Sequence, residues 1–88
     1  MSLRYKVFFS EQALTFSLKL PRQHQVLLTH FISRLAEKPG MQGDYREPDN
    51  EGRLIEVCVH GRYAILFWAD HAVAKQMVVE IRLADRRP

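Results

Sequence analysis

The sequence carries a single cysteine, Cys58. An intrachain disulfide is excluded, and a reducing cytoplasm suits the chain best. Long apolar runs are also missing. The longest, Tyr63 to Ala69, has seven residues, against the ~20 that a membrane helix needs, so no membrane partner is expected. The first residues hold no apolar signal core. Four glycines and four prolines, scattered along the chain, form no low-complexity tract or repeat. His24, His30, His60 and His71 share no ligand spacing with Cys58 or with one another, so no metal site and no cofactor are expected. An excess of one charge is missing too. Thirteen Lys and Arg face ten Asp and Glu, for a net charge of +3 and a pI near 9.4. That balance permits a polyanionic partner without demanding one.

The 47 % of apolar residues fits a globular protein, and 88 residues fit one domain, spanning 1–88. A domain of this size buries only about 60–65 % of its unfolded surface. A partner chain, or a second copy when free, would add to its core.

The C-terminal half is the organising stretch. Arg53–Val59, Tyr63–Trp68 and Met77–Ala84 are rich in Val, Ile, Phe, Tyr and Trp, the composition of strands. His60-Gly61 suits a tight turn between the first two, and Asp70–Ala74 is the second turn. Upstream, Tyr5–Phe9 is a short strand with Tyr5, Val7 and Phe9 on one face and Lys6 and Phe8 on the other. Ser10 reads as an N-cap, with Glu11 in the first turn of a helix that runs to about Leu20. Ala13, Phe16 and Leu20 share its buried face, which Leu14 and Leu18 widen. Pro21 starts a second helix, closed by Lys38-Pro39-Gly40. Its apolar stripe is Leu28, Phe31, Ile32 and Leu35, extended by Val26 and Leu27. The short join folds the two helices into an antiparallel hairpin. Pro39 to Gly52 reads as one long irregular segment, functional or mobile as such loops usually are.

Alternation assigns the sheet faces. Ile55, Val57, Val59, Tyr63, Ile65, Phe67, Met77, Val79, Ile81 and Leu83 form an apolar face that takes the helices. Leu54, Glu56, Cys58, His60, Arg62, Ala64, Leu66, Trp68, Val78, Glu80, Arg82 and Ala84 form the open one. The expected fold is α+β: a two-layer β-α-α-β-β-β arrangement, with an antiparallel four-stranded sheet packed on an N-terminal helical hairpin. Arginine suits bidentate phosphate contact. Arg53, Arg62, Arg82, Arg86 and Arg87 are therefore candidate phosphate or RNA ligands. His60 is an acid–base candidate, and Glu56 is expected to pair with Arg62 or Arg82 across the sheet. Phe8, Leu66 and Trp68 on the open face are candidates for a protein contact.

The order of elements resembles the RelE/ParE superfamily of bacterial toxins from type II toxin–antitoxin modules. The residues that carry the resemblance are Tyr5-Lys6-Val7-Phe8-Phe9-Ser10 with Ala13, Leu35 to Pro39, Gly61-Arg62-Tyr63 before an aromatic strand, and Val78 through Arg87. It implies a sheet with the first strand beside the last and a cognate antitoxin that wraps the toxin, for which Phe8, Leu66 and Trp68 are the candidate contacts. RelE-like members cut messenger RNA on the ribosome without a metal, which here makes Arg62, Arg82, Arg86 and His60 the catalytic candidates. ParE-like members instead bind and poison DNA gyrase. The sequence departs from the cleaving pattern at Leu54, Glu56, Cys58 and Ala64. Those departures leave two alternatives open: a gyrase inhibitor, or a degenerate toxin that only binds its antitoxin.

Overall fold

Seven elements form in the computed structural model, which describes residues 4–84. They are β1 (Lys6–Phe9), α1 (Glu11–Leu18), α2 (Arg22–Glu37), β2 (Tyr45–Pro48), β3 (Leu54–His60), β4 (Tyr63–Asp70) and β5 (Lys75–Leu83). The sheet order is β1-β5-β4-β3-β2. The first strand lies beside the last, as expected, and the helices pack on one face. Two details differ from expectation. The sheet has five strands, because the segment expected to be irregular contains β2, antiparallel to β3. The sheet is also mixed, since β1 pairs with β5 in parallel. The reversal expected between β1 and the Arg53 strand is made by β2 instead. β2 is hard to read because it is a four-residue edge strand, YREP, ending in a proline that only an edge tolerates.

Local chemistry fixes how the helices meet the sheet. The Ser10 hydroxyl accepts from the Ala13 amide at 3.1 Å, capping α1, and donates to the Val79 carbonyl at 2.7 Å. β1 pairs with β5 only as far as Val78. Beyond it the Gln12 side chain takes over. It accepts from the Ile81 amide and donates to the Ile81 carbonyl, at 3.1 and 3.0 Å. The cap and one amide thus satisfy strand groups that would otherwise be orphaned.

Beneath the helices lies the main core: Ala13, Leu28, Phe31 and Leu35 against Tyr63, Ile65, Phe67, Val78 and Ile81. The apolar stripe of α2 is narrower than its pattern suggests. Val26 and Leu27 are exposed, as are Leu14 and Leu18 on α1, which ends at Leu18. A smaller cluster of Ile55, Val57, Ala64 and Leu66 is buried on the opposite, uncovered face.

Register corrects the face assignment. The turn is Gly61-Arg62, with Gly61 at φ 66°, so His60 stands opposite Tyr63. Partners across strands share a face. Glu56, Cys58 and His60 therefore lie on the helix side with Phe67, Ile65 and Tyr63, while Ile55, Val57 and Val59 lie on the uncovered side. In β5 a bulge between the pairs Leu66–Glu80 and Phe67–Val78 leaves Val79 unpaired. The expected parity holds after the bulge and is inverted before it, so Val78 is covered and Met77 is not.

Candidate functional site

The uncovered face presents one tightly built polar pair. Arg82 projects from β5 beside Ala64, and Glu47 projects from β2 beside Ile55. The Arg82 guanidinium donates twice to the Glu47 carboxylate, at 2.8 and 3.2 Å, and a Glu80 oxygen stands at 3.7 Å. Two strands separate β5 from β2, about 14 Å at ~4.8 Å per strand. The bidentate contact therefore requires the sheet to curl, concave on this side, so that the pair arches over the Leu66 and Val57 cluster. The hydrogen bond that Arg82 donates to Glu47 raises the pKa of Arg82. Partial burial lowers it, and the charges of Glu47 and Glu80 add to the rise. Arg82 stays fully cationic.

Around the pair the face is acidic. A cleft of about 370 Å³ is lined by Glu47, Asp49, Glu51 and Glu80, with Arg53 as its cation. Arg53 is itself engaged, bonded to Asp49 at 3.0 Å and stacked 4.3 Å over the Trp68 ring. Asp49 anchors this turn by accepting from the amides of Glu51 and Arg53, both at 2.8 Å. Desolvation pushes its carboxyl up, but those amides and the Arg53 guanidinium together hold it below its ordinary value.

The expected site residues are thus only partly brought together. Arg82 is on the uncovered face as expected. Arg62 is an exposed turn residue whose carbonyl accepts from the Ala84 amide at 2.9 Å, and among the described residues it makes no ion pair. Arg53 stands at the opposite end of the strands. Arg86 and Arg87 lie outside the described residues. His60 is not on this face: its ring packs 5.5 Å from that of Phe31, on the helix side. The two-residue turn places it there, away from Arg82. Glu56 pairs with neither Arg62 nor Arg82, but accepts from Arg46 at 2.9 Å and from the Gly43 amide at 2.8 Å. Leu66 is only 2 % exposed within the small cluster and has no surface to offer a partner, whereas Phe8 is 40 % exposed and Trp68 half-buried. Cys58, also on the covered side, is held in its neutral form by burial and by Asp44, against a smaller pull from Arg34.

Glu47 was missed because it lies in the segment read as a loop. The signal was present as a short alternation, Tyr45 and Glu47 against Arg46 and Pro48. What the site can do follows from its parts: a guanidinium that fits a phosphate and a carboxylate able to accept a proton, in direct contact on a concave surface.

No protein-family model matches the sequence, and no curated protein matches it. Solved structures do. The archaeal RelE–RelB complex from Pyrococcus horikoshii OT3 contains a chain that superposes at TM-score 0.77 and 14 % identity, over 96 % of this chain and 99 % of that one. The RelBE2 toxin–antitoxin complex from Mycobacterium tuberculosis gives 0.71 and 19 %, over 92 % and 99 %. The intact RelBE toxin–antitoxin complex of E. coli gives 0.63 and 19 %, over 93 % and 99 %. Over more than nine-tenths of its length, this chain has the RelE-type toxin fold.

Proposed function

We propose that this chain is the toxin of a type II toxin–antitoxin module, held inactive in the cytoplasm by a cognate antitoxin, and that once released it cuts messenger RNA on the ribosome. The observation that supports the toxin reading is the likeness of fold, over nearly the whole chain, to chains of complexes described as toxin–antitoxin. For the cleavage chemistry the support is the Glu47–Arg82 pair. Cleavage by the RNA 2′-hydroxyl needs a proton acceptor near that hydroxyl and cations around the phosphate. A phosphate entering the concave face competes with Glu47 for the Arg82 guanidinium. Once displaced, the carboxylate is free to take the 2′-hydroxyl proton beside the phosphate that Arg82 now holds. The 2′-oxygen bonds to phosphorus, the bond to the 5′-oxygen breaks, and that oxygen takes the proton back from the Glu47 carboxyl, leaving a 2′,3′-cyclic phosphate. Arg62, at the neighbouring turn, and Arg86 and Arg87, which follow β5 in sequence, would extend the cationic contact.

One observation favours a second reading, a non-enzymatic DNA gyrase inhibitor. Carboxylates outnumber guanidiniums in the cleft, and both Arg53 and Arg82 are already paired. Such a surface suits a protein better than a polyanion. Induced expression separates the two readings. Cut messages seen by primer extension, without a DNA-damage response, are expected. Damage without cutting would replace the nuclease by the gyrase inhibitor. Neither effect would leave a chain that only binds an antitoxin.

A further inference from the structure

The uncovered face has a second feature, a row that runs from the β1 edge to the border of the acidic cleft at Arg53. There Phe8, Met77 and Trp68 are register partners across β1, β5 and β4, so they form one lateral row. A cation caps each end of it. The Lys75 ammonium stands 4.8 Å over the Phe8 ring, and the Arg53 guanidinium 4.3 Å over the Trp68 ring. Lys6, register partner of Lys75, adds an exposed positive charge beyond the row. Phe8 is exposed, and Met77 and Trp68 are half-buried.

We propose that this row is a stacking platform for single-stranded RNA. Flat aromatic rings flanked by cations are what unpaired bases and their phosphates require, whereas a duplex hides its base faces. The arrangement of charge gives the strand a direction of approach. Lys6 and Lys75 attract phosphates at the β1 edge, the end of the row farthest from the carboxylates of the cleft. The guanidinium plane of Arg53, already parked over Trp68, offers a further stacking surface. Trp68 lies four residues along β4 from Ala64, the partner of Arg82, or about 14 Å at ~3.4 Å per residue. Bases held on the row therefore belong to nucleotides flanking the one at Arg82. The platform rests on the nuclease reading for its substrate, but its binding is measurable apart from cleavage.

Trp68 is the only tryptophan, so its emission reports on the row directly. The probe is a short 2′-O-methyl oligoribonucleotide, in which the 2′-oxygen cannot attack, titrated into the free chain at low salt. Saturable quenching is expected. Phe8→Leu should weaken binding by about tenfold, the loss of one stacked base. Lys75→Gln should lower the salt slope by about one. Both variants should keep the thermal midpoint of the parent, since the two side chains lie outside the main core. Absence of quenching overturns the platform, and so does quenching that neither variant changes. Tighter binding of the same sequence as DNA overturns the assignment to RNA. Emission that follows protein concentration and ignores the oligonucleotide gives the row to a second copy of the chain. If messages are cut in cells without quenching in the tube, the platform falls and the nuclease stands. Quenching without cut messages does the reverse.

Discussion

The two faces of the sheet bury apolar surface by different means. On the covered side two helices supply Ala13, Leu28, Phe31 and Leu35, and Phe67, Ile65 and Ile81 vanish beneath them. On the other side no helix is present, yet Val57 and Leu66 are as fully buried. Their cover is the curl of the sheet and the Glu47–Arg82 pair arching across it. One face is thus roofed by hydrocarbon, the other by a polar pair. Only the second kind of roof can be opened by an anion, because a phosphate competes for Arg82 and nothing competes for Phe31.

That contrast predicts the largest effect. Phe31→Ala removes a fully buried ring from the helix-roofed core and should cost about 3–5 kcal/mol, as truncation of a buried aromatic does. In a chain this small such a loss approaches the whole stability. Val57→Ala, in the smaller cluster, should cost roughly 1–2 kcal/mol, less because fewer carbons are removed and the curled sheet has room to settle. Urea unfolding of the two variants measures the difference. Equal losses would mean that the uncovered side is as rigidly roofed as the covered one.

A smaller effect tests the polar roof itself. The Arg82 and Glu47 side chains are 36 % and 32 % exposed. Solvent screening keeps such a pair modest, and a double-mutant cycle over Glu47→Gln and Arg82→Met should give a coupling of about 0.5–1 kcal/mol. Function should respond far more than stability. Arg82→Met should abolish message cutting while antitoxin binding persists, because the phosphate loses its ligand. A folded Arg82→Met chain that still cuts would confine this arginine to a structural role.

The same contrast shows what could be read in advance. The helical hairpin, the strand-rich C-terminal half and the Ser10 cap were legible, because each rests on local chemistry: amphipathic spacing, β-branched runs and a capping hydroxyl. The faces of β4 were legible too. Those of β3 were not, since three aliphatic residues outweighed Glu56, Cys58 and His60 in the pattern. The turn held the answer. Two residues, Gly61 and Arg62, force His60 opposite Tyr63, and a one-residue error in register inverts every side chain of a strand. The Val79 bulge inverted half of β5 in the same way, with no glycine to mark it. The site suffered most, because Glu47 came from a charged four-residue edge strand whose one neighbour in the sheet is β3. Arg82 could be found from composition, but its carboxylate partner lies 35 residues away in sequence.

The smallest expected effect concerns the hinge between cleft and platform. Asp49 ties the turn that aims Arg53 at Trp68, and its carboxyl is held below the ordinary 3.8. A carboxyl with a depressed pKa in the folded state contributes stability that is present above the unfolded value. That contribution is lost as pH falls through the folded one. The turn should therefore keep Arg53 over Trp68 at neutral pH and release it only below about pH 4. Trp68 emission followed down an acid titration should show a step there that Asp49→Asn removes, without change in the far-ultraviolet dichroism of the helices. The outcome also bears on the two ends of the face. If the step persists in Asp49→Asn, a group other than Asp49 releases the cation; if neither chain shows a step, the ring alone holds Arg53 and the platform does not depend on the acidic cleft beside it.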